Sequence, residues 1–338
     1  MPWFGKKTNK VAFSDLTEKQ EKALNKLRDR IEQEELTNDP RFNDEYLLRF
    51  LRSQNFKVDK TYKMFEEFIE WRAEIKADKA ISLYRFPELP QLKLNYEHGY
   101  HKVDREGRPV WIDLIWEADI EAWRGIITKE KFTKYYVSEY EKLIHIKLPA
   151  WSKAYGQPVT QTFSIVSCKG FHMSILSKKN REFIQLASNL SQNYYPDIMW
   201  QMYVIDTPFL FKAAWLAIKP FLNEKTRNWI KMLGTKYHEE LFKIVDPDNL
   251  PEKLGGNWNW QNEGGNCLMA CPGPWDEYPG DDIGEAAKLE LQELTAEDSD
   301  NAIEGCGEGE NSSEWDENDL EEKKVPTFKH FQNLRLTS

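Results

Sequence analysis

The chain has 338 residues, enough for one large domain or two modest ones with tails, and its 40% hydrophobic share is ordinary for a folded protein. Its 13 Trp, 14 Tyr and 18 Phe suit a large core or a large apolar cavity. An evenly spread charge of −10 would argue against nucleic acid and anionic membranes, but residues 281–322 hold seventeen carboxylates against Lys288 alone; the remaining chain carries about +6 and can approach an anionic surface.

Residues 1–14 read as a flexible tail, and "SDLTEKQEKALNKLRDRIEQEE" begins a charged helix with Ser14 or Asp15 as N-cap. In the segment that follows, Leu47, Leu48, Phe50 and Leu51, then Tyr62, Phe65, Phe68, Ile69 and Trp71, recur at helical spacing, which predicts a helical module over 15–80. The pattern then changes. "HKVDREGRPVWIDLIW" has a turn signal at Asp104 to Gly107 followed by a strand-like alternation. "KFTKYYVSEYEKLIHIKLPAW" predicts a helix, "QTFSIVSCKG" a strand, "KNREFIQLASNLSQNYYP" a helix up to Pro196 and "MWQMYVIDTP" a strand. Strands alternating with helices of this length define an α/β domain with a largely parallel sheet, placed at 81–260. A C-terminal wrap is assigned to 261–280 and an acidic, disordered tail to 281–338. That tail either screens the basic body from anionic lipid or is a solvated terminus.

"VIDTPFLFKAAWLAIKPFLN", residues 204–223, is the most apolar stretch, yet Asp206, Pro208, Lys212, Lys219 and Pro220 interrupt it too often for a bilayer span. Between the two prolines a helix would be apolar almost all round, because Lys212 and Lys219 share one narrow stripe; such a helix is expected to seek burial on nearly every side.

The motifs of chemistry are missing. His98, His101, His145, His172, His238 and His330 stand in no metal-ligand spacing, so each is given a structural role. Cys267 and Cys271 have no second pair, and with Cys168 and Cys306 they make neither a zinc site nor a disulfide framework, which points to a reducing compartment. No nucleophile elbow or Walker loop occurs, and the run Gly305, Gly307, Gly309 is wrapped in glutamates that repel phosphate. The expectation is a protein that is not an enzyme, with no cofactor and no metal. In "QTFSIVS" the two-residue period puts Thr162 and Ser164 on one strand face beside Val166, and Tyr136 and Tyr140 form an i,i+4 pair below Ile144. These hydroxyls either cap backbone and line an ordinary core or project into a cavity that binds a polar head.

"LLRFLRSQNFKVDK…EWR", "YHKVDREGRPVW", "KLPAWS", "SQNYYP", "YVIDTPFLFKAAWLAIKPFLNEKT" and "NLPEKLGGNW" together resemble the CRAL-TRIO lipid-binding family, above all its fungal phosphatidylinositol/phosphatidylcholine transfer branch, in the right order from about 15 to 275. The resemblance implies an N-terminal helical module on an α/β domain whose sheet floors one large apolar pocket. It also implies a mobile gate helix bearing Phe209, Phe211, Lys212, Trp215, Ile218 and Lys219, with the lysines at the membrane's polar surface. The implied phosphatidylcholine contacts are Tyr100, Trp111, Tyr140, Thr162 and Ser164, with Trp111 standing where the family has tyrosine and still able to pack on choline. The implied phosphatidylinositol positions depart further. Gln54 and Asn55 replace an Arg-Lys pair, Asp197 and Thr226 keep an acid and a threonine, and Trp229 replaces a lysine. Lys225, Arg227 and Lys231 stand near enough in sequence to compensate. These departures rank phosphatidylinositol below phosphatidylcholine.

The resulting expectation is a cytoplasmic monomer that docks peripherally on internal membranes, Golgi or endosomal, and exchanges one phospholipid, with a lipid kinase or other lipid-metabolising enzyme as a possible partner and no nucleic acid. A carrier or sensor for a sterol, tocopherol or retinoid remains the alternative, and an ester hydrolase lacks a nucleophile arrangement.

Overall fold

A computed structural model describes residues 16–84, 86, 96–115, 127–171, 177–259 and 273–274. The N-terminal module consists of α1 (Glu18–Gln33), α2 (Asp44–Ser53), α3 (Val58–Ile75) and the short α4 (Ala80–Leu83). Thr17, not Ser14 or Asp15, caps α1: its hydroxyl accepts from the Gln20 N–H while the Gln20 side chain accepts from the Thr17 N–H, a reciprocal box that outcompetes the earlier candidates. Ser14 and Asp15 lie outside the described residues. Between the helices Phe42, Tyr46, Phe50, Phe65 and Phe68 form a ring cluster with centroid separations of 5.0 to 6.0 Å, several of them edge to face.

The α/β part is built on a five-stranded sheet of order β1 (His98–Val103), β2 (Pro109–Asp113), β3 (Thr162–Ser167), β4 (Met199–Ile205) and β5 (Ile230–Met232). The pair β1–β2 is antiparallel and every other pair is parallel. The turn signal at Asp104 to Gly107 therefore closes a hairpin. Gly107 has φ +86°, and a Cβ there would sit 2.5 Å from the Tyr155 ring, so both backbone and space demand glycine.

Each parallel crossover carries helices: α5 (Lys129–Lys142) and α6 (Leu148–Tyr155), then α7 (Lys178–Asn189), then α8 (Phe211–Ile218) and α9 (Glu224–Trp229). Because strands are added in one direction, crossovers of one hand put all these helices on the same face of the sheet. Single, wider π-helical turns at Leu143–Lys147 and Leu190–Tyr194 follow α5 and α7. The opposite face is closed by α10 (His238–Phe242) and the segment after it. There Val110, Ile112, Phe163, Ile165, Tyr203 and Ile205 pack against Tyr237, Leu241, Val245, Leu250 and Leu254.

The expected burial of the apolar helix on nearly every side is corrected. In α8, Phe211 and Ala214 are buried against Val204 and Cys168 and Trp215 is half-buried, whereas Leu216 is 69% exposed and Phe209 and Leu210, just before the helix, are 83% and 61% exposed. The helix is only eight residues long and lies on the sheet with one side, and among the described residues its outer side packs on nothing that buries Leu216. No helix among the described residues is long and apolar enough to cross a membrane. The acidic block at 281–322 and Cys267, Cys271 and Cys306 lie outside the described residues.

Candidate lipid-binding site

The helix-covered face of the sheet presents the alternate residues Trp111, Asp113, Thr162, Ser164, Val166, Met202 and Val204. Tyr100 joins them by pairing with Trp111, their rings 4.9 Å apart and edge to face. Above them α5 supplies Tyr136 and Tyr140. All five residues implied as phosphatidylcholine contacts therefore fall on this one space: four on three adjacent strands and Tyr140 on the helix that covers them. Register puts Trp111 directly beside Ser164.

Two properties set this face apart from a solid core. Thr162 and Ser164 are 3% and 6% exposed, yet among the described residues neither side chain has a hydrogen-bond partner. Enclosed hydroxyls without partners are costly unless a guest or water takes them up. Second, Tyr136, Tyr140 and Asp113 keep accessible surface while their charged forms are strongly desolvated. Burial pushes Tyr140 up to about 12 and Asp113 up to about 6. Groups half-buried by area yet desolvated are what the lining of an enclosed recess would show.

Stacking fixes the tyrosines. Tyr140 lies 4.5 Å from Tyr195 at an interplanar angle of 13°, and the Lys147 ammonium sits 5.1 Å over the Tyr100 ring. Each anchor stands at or just beyond one of the two π-type turns, which explains why the chain departs from regular helix there.

The positions implied for phosphatidylinositol divide. Asp197 stands in the loop before β4 and Thr226 and Trp229 on α9, where Lys225 lies near both Asp197 and the Trp229 ring; Asp197 takes a left-handed φ of 60° and is buried. Gln54 instead donates to the Met64 sulfur at 3.1 Å and Asn55 is exposed. Arg52 and Lys225 are cations that lie beside Asp197. Arg52 Nη1 lies 3.4 Å from Asp197 Oδ2, and Lys225 Nζ donates to the Arg52 carbonyl at 2.5 Å while lying 5.0 Å from the Trp229 ring. Burial pushes the Asp197 carboxyl up, against the pull of Arg52, Lys225 and Arg49. Of the three compensating cations considered from sequence, Lys225 reaches the cluster. Arg227 turns back to the Asn223 carbonyl and Lys231 pairs with Glu240 at 2.6 Å. Arg52 escaped notice because it lies 173 positions from Lys225 and only folding joins them.

Among the described histidines, His98 bridges the Tyr96 carbonyl and the Tyr135 hydroxyl, His101 is buried beside Trp258 and His145 lies 3.3 Å from Glu141. Those are packing and hydrogen-bonding roles. His172 and His330 lie outside the described residues.

The fold is thus a helical module followed by a mostly parallel sheet whose helix-covered face carries these hydroxyls and rings, and comparison with known proteins identifies its family. Residues 95–256 match the CRAL/TRIO domain and residues 11–67 the CRAL/TRIO N-terminal domain. The SEC14 cytosolic factor of Kluyveromyces lactis is 34% identical over 276 residues, covering 81% of this chain and 90% of that protein. The phosphatidylinositol/phosphatidylcholine transfer protein SFH11 of Arabidopsis thaliana is 35% identical over 234 residues, covering 69% of this chain and 62% of that protein. The chain spans less than half of a second plant relative, SFH9, of which 45% is covered at 36% identity. The crystal structure of Sfh5 superposes with a TM-score of 0.60 at 15% identity, covering 83% of this chain and 98% of that one, a likeness of fold. The chain belongs to the CRAL/TRIO family.

Proposed function

We propose that this protein binds one phospholipid in the recess and exchanges it between membranes, with phosphatidylcholine favoured and α8 acting as the gate. The observation that carries this reading is the pair of enclosed, unpartnered hydroxyls of Thr162 and Ser164 among Tyr100, Trp111 and Tyr140. A phosphodiester supplies the acceptor oxygens those hydroxyls lack, and the aromatic rings suit a quaternary ammonium. Tails need no chemistry. About thirty methylenes at about 0.8 kcal/mol each represent roughly 24 kcal/mol against water, and a bilayer offers nearly the same, so the lipid can leave whenever the gate opens on a surface. Head-group contacts then decide which lipid is carried. The names of the relatives, transfer proteins and cytosolic factors, support the same reading and a cytoplasmic, peripheral location.

The test is to purify the chain, extract it for mass spectrometry and follow labelled lipid between vesicles. Co-purifying phosphatidylcholine and protein-dependent transfer are expected. An extract free of phospholipid, with no transfer, would overturn the reading; a ligand lacking phosphate would favour the sterol, tocopherol or retinoid alternative.

Phosphatidylinositol is the second cargo, favoured by the cations that Arg52 and Lys225 bring to Asp197 and Thr226. The Trp229 ring lies 5.0 Å from the Lys225 ammonium. Trp229→Lys is expected to raise phosphatidylinositol transfer about tenfold, the worth of one charge-assisted hydrogen bond, and to leave phosphatidylcholine transfer within twofold. An unchanged ratio in a competition assay would remove Trp229 as the discriminating residue.

A further inference from the structure

The recess contains a charge that no cation among the described residues pairs with. Asp113 ends β2 and shares a face with Trp111. Its Oδ2 accepts from the Tyr96 hydroxyl at 2.8 Å and its Oδ1 from the Ile115 N–H at 3.0 Å, with the Trp111 indole close by. All these neighbours are neutral. Among the described residues no lysine, arginine or histidine forms an ion pair with it.

Both carboxylate oxygens accept from neutral donors, which an asparagine with its single acceptor oxygen could not match, yet these donors satisfy the oxygens without neutralising the charge. Although burial pushes Asp113 up to about 6, the carboxylate remains largely ionised at neutral pH. Around it stand aromatic groups. The Tyr96 and His98 rings are 4.2 Å apart, His98 and Trp111 5.6 Å apart, and the Tyr136 hydroxyl lies beside that of Tyr96. A carboxylate with aromatic side chains close by is a chemistry that recognises an organic ammonium ion.

Spacing completes the fit. Trp111 is in register with Ser164 and Asp113 with Val166, so the Asp113 Cα lies one strand over and two residues along from Ser164, roughly 8 Å away. Unpartnered hydroxyls at one end and an unbalanced carboxylate at the other match a head group with phosphate and ammonium on adjacent short arms. An inositol head has no cation to offer.

We propose that Asp113 is the counter-ion for the ammonium group of a zwitterionic phospholipid head and thereby selects phosphatidylcholine over phosphatidylinositol. The assignment rests on the transfer reading above and adds a specificity-determining residue to it. Ethanolamine heads share the cation but lose the preference of a ring-lined site for a quaternary ammonium.

The experiment measures transfer of labelled phosphatidylcholine and phosphatidylinositol by the wild-type chain, Asp113→Asn and Asp113→Glu. Asp113→Asn is expected to lower the choline-to-inositol transfer ratio at least tenfold while phosphatidylinositol transfer stays within twofold, and Asp113→Glu to restore part of the ratio. An unchanged ratio, or equal loss of both lipids, overturns the assignment. A second measurement is independent of how the variants fold: the wild-type chain is offered short-chain phosphatidylcholine and its neutral isostere, in which a carbon replaces the choline nitrogen. Binding of the isostere at least tenfold weaker supports the assignment, and equal binding overturns it. A wild-type chain that moves neither phospholipid overturns the transfer reading and the assignment together, whereas phosphatidylcholine transfer with an insensitive ratio overturns the assignment alone.

Discussion

Glu141→Ala is expected to destabilise the fold by about 3 to 5 kcal/mol, the largest stability loss of any single polar substitution proposed for this chain. Glu141 and Arg72 are 2% and 3% exposed, and they meet through two parallel bonds, Nη1 to Oε1 at 2.7 Å and Nη2 to Oε2 at 3.1 Å. The Tyr195 hydroxyl donates to the same carboxylate at 2.6 Å, and Arg72 also reaches Asp78. The pair joins α3 of the helical module to α5 over the sheet. Removing Glu141 leaves the buried Arg72 with only the half-exposed Asp78 as counter-ion and takes away the acceptor of the Tyr195 hydroxyl, which is why the loss exceeds the value of the intact pair. Arg72→Met combined with Glu141→Leu is accordingly expected to cost less than the two single changes added together. Urea unfolding of the three variants checks this; single losses below about 1 kcal/mol would sink it.

The pH dependence has a definite sign. Burial alone would push the Glu141 carboxyl up, but Arg72 and His145 together hold it well below the usual carboxylate range. A depressed folded value means that stabilisation is complete above the unfolded glutamate value, about 4.3, and is lost as the pH falls below it. Glu141→Gln is expected to flatten that acid limb of the stability curve. Its consequence reaches the recess, because Tyr195, held by Glu141, is the ring on which Tyr140 stacks.

How far the sequence discloses this arrangement depends on how local each signal is. Thr162 and Ser164 are legible because strand alternation alone puts them together, and β3 and β4 are legible from the same two-residue period. Strand β1 is not, since Gly99 and the left-handed Lys102 break its pattern, and β5 is only three residues long. The N-terminal module reads well because its aromatic residues repeat at helical spacing. Contacts that fold distant segments together leave no local trace. Arg72 and Glu141 are 69 positions apart, Arg52 and Asp197 145 apart, and Tyr96 and Asp113 17 apart. Asp113 went unremarked for that reason: as one acid ending a strand it resembles any turn residue, and only the ring of neutral neighbours makes its charge meaningful. The helical wheel of α8 gave the composition of the proposed gate but not its orientation, which depends on what lies beneath it.

That orientation leads to the largest functional effect. Phe209, Leu210 and Leu216 form an exposed apolar surface beside the exposed Lys212 and Lys219, while Phe211 faces inward with its ring 5.6 Å from that of Phe171. An apolar patch flanked by lysines suits the boundary of an anionic bilayer, where the rings and leucines enter the acyl edge and the ammonium groups stay with the phosphates. Fully burying a Leu or Phe side chain contributes about 1.5 to 3 kcal/mol, so partial insertion of two such residues contributes about 3 kcal/mol, or roughly a hundredfold in membrane association. Phe209→Glu combined with Leu216→Glu is therefore expected to lower vesicle binding and lipid transfer by about that factor. Melting temperature and the lipid recovered by extraction should hold, because neither side chain supports the core. Phe211→Ala is expected to do the reverse: it removes an inward anchor, costs about 3 to 5 kcal/mol of stability and loosens the gate while leaving the outer surface intact. If the double glutamate variant transfers lipid as fast as the unaltered chain, the outer side of α8 is not the membrane face and the gate must open by another route; if it loses stability in proportion to activity, these side chains are structural after all. Only a loss of transfer at constant stability separates docking from folding.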